Sequence, residues 1–422
     1  MMKIYKLKPT PLEKEIPKAA VETYSAPPPP SNGKIIALDC HPDIFTAAVL
    51  VGQTPHDARK IDSRVDIDLE TLLKWASKEF GPQDIFLMEA GSNSFEVCKR
   101  LHDLGLRAVV LESCHVGRNA KTYADNDKMA AVRIARVYLA GDAPCVWVPD
   151  ERSRQRRELL HAYTKAVVDH TAASNSLKSY LCEQGIRPKK RNLGQESTRQ
   201  WIVSQRLWSP MQSAILQEHY GDLDESKARR ERLYRLIAGE MSVEPLMLRC
   251  MKLLGVGIVN AFALIAVIGD VRRFDRPEKL VAYIGLNPGQ LQSGKNKFIK
   301  LPVGNRGRGD IRRLLIQGAQ AVFRMGSNTI LGRWGWKLFA RKGSRNVAVT
   351  AVARKLLVQV WHLLMGNPPG ALDADKSFTI KLKKLAMALG TDLRCQLGLG
   401  GKLADCVQEL RKRIIGSAVT TS

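Results

Sequence analysis

Lys34-Ile-Ile-Ala-Leu-Asp39, continued by Ile44-Phe-Thr-Ala-Ala-Val-Leu-Val51, decides the fold. Both runs are rich in β-branched and aliphatic residues, and Cys40-His41-Pro42-Asp43 between them has turn composition, so they read as a strand and its hairpin partner. Asp39 closes the first apolar run. Alone, an aspartate there reads as a turn residue; two further isolated acids, Glu89 and Asp127, at comparable strand-end and helix positions, change that reading. A carboxylate at the end of a buried strand costs desolvation and needs a use.

Outward from the hairpin, an amphipathic helix is expected around Leu69 to Phe80, then a strand Asp84-Ile-Phe-Leu-Met-Glu89. Ala90-Gly91-Ser92-Asn93 is a small-residue turn that opens a helix from Ser94 to Leu104. Leu106 to Glu112 is the next strand, and Cys145-Val-Trp-Val-Pro149 reads as a short final one. Strands alternating with helices imply an α/β sheet, whose sites form at the carboxyl ends of its strands. A helix runs from Tyr123 to Tyr138, with Asn126 or Asp125 as N-cap and Ala131, Ile134, Ala135 and Tyr138 as its buried stripe. Asp127 lies in its first turn, where dipole complementation alone would favour an acid.

The chain has 422 residues and a net charge of +25, from 66 Lys and Arg against 41 Asp and Glu. That balance points to a polyanionic partner, nucleic acid first and an anionic membrane surface second. No uninterrupted apolar run reaches the ~18 residues of a spanning helix, so a membrane is disfavoured. Eight scattered cysteines, without a Cys-x-x-Cys pair or a signal peptide at Met1, fit a reduced, cytoplasmic setting. The eight histidines do not cluster with them at zinc-ligand spacing.

Five regions follow. Residues 1–32 are a disordered, Pro-rich tail, and 33–150 form the sheet domain. Residues 151–245 form a basic helical arm, 246–370 a mainly helical domain, and 371–422 a basic helical tail. In the arm, Leu160, Tyr163, Val167, His170, Ser174, Leu177 and Leu181 recur three and four residues apart, as in a coiled coil. A basic loop with Lys189, Lys190 and Arg191 joins that helix to a second one, about Met211 to Met241. Lys227-Ala-Arg-Arg-Glu-Arg232 is either a solvated face or a phosphate-tracking one. In the fourth region, Gly255-Val-Gly257 stands between helices, either as a helix-hairpin-helix-like turn whose amides grip a phosphate or as a tight turn alone. Ser293 lies on an electropositive loop with Lys295 and Lys297. Arg306, Arg308, Arg312 and Arg313 surround the start of a helix running through Arg324, an anion-binding end. Another apolar helix covers Asn346 to Met365.

Asp39, Glu89 and the Asp127 helix, followed by the arm and the Gly-x-Gly, Arg-Phe and Ser-Gly segments, resemble the insertion-sequence "one-ten" transposases and, more closely, their "eleven-eleven" subgroup. Piv-type DNA invertases share the pattern. The resemblance spans roughly residues 33–366. It implies an N-terminal RuvC-like, RNase H-type domain with an Asp-Glu-Asp-Asp tetrad holding Mg²⁺, or Mn²⁺ in its place. It implies a C-terminal domain whose nucleophile is Ser293, forming a covalent phosphoserine link to DNA. It further implies guidance by a noncoding bridge RNA that pairs with donor and target DNA. The expected assembly is a homodimer pairing into a homotetramer, cytoplasmic and nucleoid-associated when acting. The two half-sites would meet by folding back or in trans. One position departs from the pattern: the family's fourth acid, one helical turn after Asp127, is here Ala130. The resemblance then implies an inactivated variant, or compensation by Asp125. A RuvC-like nuclease would need the acids without Ser293, and a catalytically silent RNA- or DNA-binding protein would need neither.

Overall fold

The computed structural model describes residues 27–91, 93–113, 116, 127–141, 144–188, 192–291, 299–304, 307–325, 329–367 and 375–416. The chain divides into two compact units, Met1–Asp150 and Glu151–Ser422.

The first unit is built on a five-stranded sheet. Its strands are β1 (Ile35–Cys40), β2 (Phe45–Val51), β3 (Arg59–Ile67), β4 (Ile85–Glu89) and β5 (Arg107–Leu111). The spatial order is β3-β2-β1-β4-β5. β1 pairs antiparallel with β2 and β2 with β3, while β1, β4 and β5 run parallel. The alternation along β1 and β4 assigns their two faces. Ile36, Leu38, Phe86 and Met88 pack with α1 (Leu69–Glu79) and α2 (Ser94–Asp103). Ile35, Ala37, Ile85 and Leu87 pack with Ala131, Ile134, Ala135 and Tyr138 of α3 (Asp127–Leu139).

Buried Asp84 fixes where β1 and β4 begin: its carboxylate accepts from the Lys34 amide at 2.7 Å and the Gly81 amide at 2.9 Å. The described end of the N-terminal segment, read as tail, is tied to this unit. The Tyr138 hydroxyl donates to the Pro27 carbonyl at 2.5 Å and Gln53 to that of Pro30 at 2.7 Å. The expected strand at Cys145 is only an isolated bridge to Leu111, with the Val146 amide donating to Val110.

The second unit is helical apart from one hairpin. α4 (Glu151–Glu183) and α6 (Pro210–Val243) are antiparallel, with α5 (Glu196–Ser204) near their far end. Leu177 and Leu181 of the expected seam pack on Leu216, Tyr220 and Leu223 of the chain's own α6. Buried Arg156 braces the near end, donating to Glu240 at 2.9 Å and Glu244 at 2.8 Å. The main core gathers the helices that follow. They are α7 (Pro245–Cys250), α8 (Ile258–Ile268), α9 (Pro277–Ile284), α10 (Gly309–Met325), α11 (Ile330–Lys342), α12 (Arg345–Leu364), α13 (Asp375–Gln396) and α14 (Leu403–Gly416). Phe378, Leu382 and Leu410 belong to that core, so the segment beyond residue 370 is part of its packing. α12 is long and apolar enough to cross a membrane, yet Val352, Ala353, Leu356, Leu357 and Val360 are buried inside this unit.

Gly255, at φ +80°, shows what the Gly-Val-Gly turn does. A Cβ there would lie 2.6 Å from the Gly318 carbonyl oxygen, and one on Gly318 would lie 2.4 Å from that of Gly255. The turn and α10 therefore cross backbone to backbone. Packing accounts for Gly255 without a phosphate.

Candidate functional site

In the first unit, Asp39 and Glu89 each follow one residue after the paired Leu38 and Met88 on adjacent parallel strands. Both strands present their odd-numbered residues to α3, so the two acids share the face on which that helix lies. Asp39 is partly exposed, and the His41 imidazole stands 3.7 Å from it. Burial raises the Glu89 carboxyl above its ordinary range, and the charges of Asp39 and Glu112 raise it further. Arg133, from α3, pulls the other way. Burial and neighbouring Asp39 push the Cys40 thiol up to about 12, which keeps it from acting as a thiolate near neutral pH.

Two of these groups were not anticipated. Glu112 follows β5 as Glu89 ends β4, so the strand-end rule that picked Glu89 also marks Glu112. Arg133 was not singled out by the sequence pattern, which marks only Ala131, Ile134, Ala135 and Tyr138 on this helix. Asp127 is the first residue of α3, and half-buried Ala130 lies one turn on. The Asp127 side chain is outside the described residues. Among the described residues, no group of three or more His, Cys, Asp and Glu is placed to hold a metal ion.

In the second unit, β6 (Pro288–Leu291) and β7 (Ile299–Val303) form an antiparallel hairpin where a loop was expected. The sequence between the two strands contains Ser293, Lys295 and Lys297, which lie outside the described residues, as do Arg306, Lys189, Lys190 and Arg191. At the hairpin's neck, the Arg308 amide donates to the Tyr283 carbonyl at 3.3 Å. Gly307, at φ +83°, sits so close that a Cβ would meet the Gly285 nitrogen at 2.7 Å. Arg308 makes a two-point pair with Asp310 at 3.0 and 2.6 Å, and Arg312 donates to the Gly285 carbonyl at 3.2 Å. Arg313 points to solvent. The predicted arginines thus split: Arg308 and Arg312 hold the neck together, and Arg313 is exposed.

The Tyr283 ring also belongs to this neck. Burial alone would raise its phenol, but Arg273, Arg157 and Arg308 more than offset that and hold it below its ordinary value. Arg157 and Tyr283 carried no sequence signal, and Arg273 entered only within the Arg-Phe segment of the resemblance, since the tertiary fold alone brings positions 157, 273 and 283 together.

Residues 248–332, which enclose α8, α9, the hairpin and α10, match the model of the transposase IS116/IS110/IS902 family. Over 302 residues the chain is 25% identical to a Sinorhizobium fredii protein named as transposase y4qE, covering 66% of this chain and 74% of that protein. It is 27% identical over 293 residues to a Pseudomonas aeruginosa protein named as a family 20 transposase, with 67% and 84% covered. It is 27% identical over 286 residues to the transposase for insertion sequence element IS1111A of Coxiella burnetii, with 66% and 77% covered. The chain thus matches the IS116/IS110/IS902 transposase family model over residues 248–332 and is similar to these named transposases over about two thirds of its length.

Proposed function

We propose that this chain is an insertion-sequence transposase that cuts and rejoins DNA strands through a covalent phosphoserine intermediate on Ser293, guided by a noncoding bridge RNA. The observation that carries this reading is the family match over residues 248–332, which encloses Ser293 and the two strands that flank it in sequence. The acids at the carboxyl ends of parallel β1 and β4 support a RuvC-like, RNase H-type first unit. In the proposed chemistry, the Ser293 oxygen bonds to the scissile phosphorus as the P–O bond to the leaving strand breaks, and the released oxygen takes a proton. Attack by a hydroxyl of the new strand reverses the step and frees the serine, which conserves the phosphodiester without a nucleotide cofactor.

The donor chemistry of Asp39 and Glu89 suits Mg²⁺ or Mn²⁺, because both are oxygen ligands and their mutual repulsion is what a divalent cation relieves. With Asp127 as the third acid, a bound divalent ion would supply electrostatic stabilisation of the oxygens at the reacting phosphate. Position 130 offers only a methyl group. A second reading follows from that methyl: a catalytically silent protein that binds RNA and DNA.

Assembly as a homodimer that pairs into a homotetramer is part of the first reading. Since the chain's own α6 fills the arm's seam, a dimer contact there falls to exposed apolar residues such as Val168, Leu207 and Met211.

The test compares this chain with Ala130→Asp in strand exchange with and without Mg²⁺, and sequences the RNA that co-purifies. Ser293→Ala should abolish the covalent protein–DNA adduct. An inactivated transposase gains Mg²⁺-dependent exchange when the acid is restored. Equal activity of the two chains refutes the inactivation, and no exchange by either favours the silent protein.

A further inference from the structure

Helix α11 buries Gly332, Gly335 and Leu338 and turns Ile330, Arg333, Trp336, Lys337, Ala340 and Arg341 to solvent. On a helical wheel those six fill one continuous arc of about 140°. Three cations recur along it, at positions 333, 337 and 341, about 6 Å apart along the axis. That is comparable to the separation of neighbouring phosphates in a single strand. The segment carries no acid of its own: from Ile311 to Leu372 the chain has ten Lys and Arg and no Asp or Glu. Among the described residues, Arg333, Lys337 and Arg341 pair with no carboxylate from elsewhere.

Exposed cations alone are a solvated face and need no partner. Trp336 is what that reading leaves out. It is 44% exposed, and it is turned the wrong way for a surface tryptophan, which ordinarily buries its ring and wets its N–H. Here the N–H donates to the Phe323 carbonyl at 2.9 Å, so the indole's one polar atom faces inward and the part left in solvent is carbon. The ring is held by Phe323, with centroids 4.5 Å apart, and by the edge of Phe339 at 5.7 Å. The Arg345 guanidinium lies 5.6 Å from the Phe323 ring centre, which sets a further cation one ring away from Trp336. Neighbouring Trp334 shows how a tryptophan on this helix is otherwise covered, by Lys355 at 4.7 Å. No cation covers Trp336 among the described residues.

A held, uncapped aromatic ring among cations of one sign is the combination that stacks a base and neutralises the phosphates beside it. A duplex keeps its base faces covered and offers such a ring nothing to stack on. A helix lying on a membrane needs an apolar face to immerse, and that face of α11 is already in the core. Only the first three residues of α11 fall within the family match, which ends at residue 332, so this face is a feature of the chain beyond it.

We propose that the exposed face of α11 seats an unpaired strand of DNA, with a base stacked on Trp336 and successive phosphates along Arg333, Lys337 and Arg341. The inference rests on the DNA-acting reading given above, and DNA is favoured over RNA because cutting and rejoining strands separates them at the substrate.

Fluorescence anisotropy of the full chain across a salt series tests this, with labelled oligothymidylate, a DNA duplex of equal length and oligouridylate as probes. Co-sedimentation with phosphatidylserine vesicles is run alongside, and circular dichroism checks the fold. Trp336→Leu should weaken oligothymidylate binding about tenfold and leave its salt slope unchanged. Trp336→Phe should keep most of the affinity. Both variants lose the bond to Phe323, so the difference between them isolates stacking. Lys337→Gln and Arg341→Gln, at exposed positions, should each lower the slope of log affinity against log salt by about 0.7, and they carry the test alone if the Trp336 variants fail to fold. The seat is overturned if Trp336→Leu binds oligothymidylate as tightly as Trp336→Phe, or if both cation variants keep the parent's slope. It is equally overturned if the variants weaken only duplex, RNA or vesicle binding. A parent chain that binds neither single-stranded nor duplex DNA removes the DNA-acting reading itself, whereas a parent that binds DNA with unaffected variants removes only the seat on α11.

Discussion

Replacing Gly318 by alanine should destabilise the second unit, against the usual gain from removing a helical glycine. Alanine in a helix interior is favoured over glycine by roughly 1 kcal/mol. At Gly318 the new methyl would stand 2.4 Å from the Gly255 carbonyl oxygen and 3.2 Å from the Asn260 side-chain nitrogen. An ordinary C···O approach is about 3.3 Å or more, so the two backbones must part by about 1 Å. Neither obstacle is the loose end of a long side chain. Asn260 donates to both Gly255 and Leu314, at 3.3 and 3.2 Å, and stitches the turn to α10. Overpacking of this kind costs ~3 kcal/mol at its upper range, which leaves a net loss of about 2 kcal/mol after the helical gain.

Gly221 supplies the control. It lies inside α6 with open space around an added Cβ, so Gly221→Ala should stabilise by ~1 kcal/mol. Urea unfolding of the two variants and the parent measures both. If Gly318→Ala is as stable as the parent or more so, the backbone-to-backbone crossing is not what fixes α10, and the packing account of Gly255 fails with it.

Arg156→Met leaves half-buried Glu240 and Glu244 facing each other, with Arg152 at 3.7 and 3.5 Å as their remaining ion-pair partner among the described residues, and should cost about 3 kcal/mol by urea midpoint. Asp84→Ala removes the acceptor for two amides and should cost ~2 kcal/mol, with Asp84→Asn recovering part of it in the same assay. For Tyr283, the fold lowers the phenol, so its stabilising contribution is fully present above the unfolded value near 10 and is lost as pH falls through the lowered folded value. The stability gap between the parent and Tyr283→Phe should therefore widen as pH rises toward about 10. A gap that stays constant, with no loss of the lowest step in a phenolate absorbance titration, rules out the lowered phenol.

The parts of the fold that were legible are those in which neighbours in sequence make the decision. The apolar runs of β1 and β4 placed Asp39 and Glu89 at strand ends, and the helix expected through Arg324 and the apolar helix expected from Asn346 to Met365 match α10 and α12 closely. The helix expected from Tyr123 to Tyr138 is described as α3 from Asp127, its expected start and N-cap at 123–126 lying outside the described residues. The sheet order was not legible, because β1 lies between β2 and β4 through long-range pairing. β6 and β7 escaped for a local reason: both are short, and each carries a proline, which argues against a strand. α11 escaped because it contains Gly332 and Gly335, poor helix residues by propensity. The structure gives Gly335 its reason, since a Cβ there would meet the Val352 side chain at 2.8 Å where α11 crosses α12. The Tyr283 cluster has no local signature, as its charges come from an arm helix, a turn and the neck of a hairpin.

Position 130 shows where stability and chemistry separate. Ala131, Ile134 and Ala135 are fully or almost fully buried against the sheet, and any acid there would break the fold. Ala130 sits beside that stripe, half-buried, in the first turn of α3 with Arg133 three residues on. An aspartate at 130 loses ~0.5 kcal/mol of helix propensity against alanine. It regains a few tenths from the helix dipole and a similar amount from the i, i+3 pair with Arg133, on the order of 0.5 kcal/mol together. The exchange is close to neutral for folding. Its main electrostatic effect falls on Glu89, which already carries the repulsion of Asp39 and Glu112. A fourth acid raises that burden unless a divalent cation is present, so the restored chain should need Mg²⁺ more than the parent does. Activity regained by Ala130→Asp therefore reports on the acidic edge of the sheet, not on whether the domain is folded.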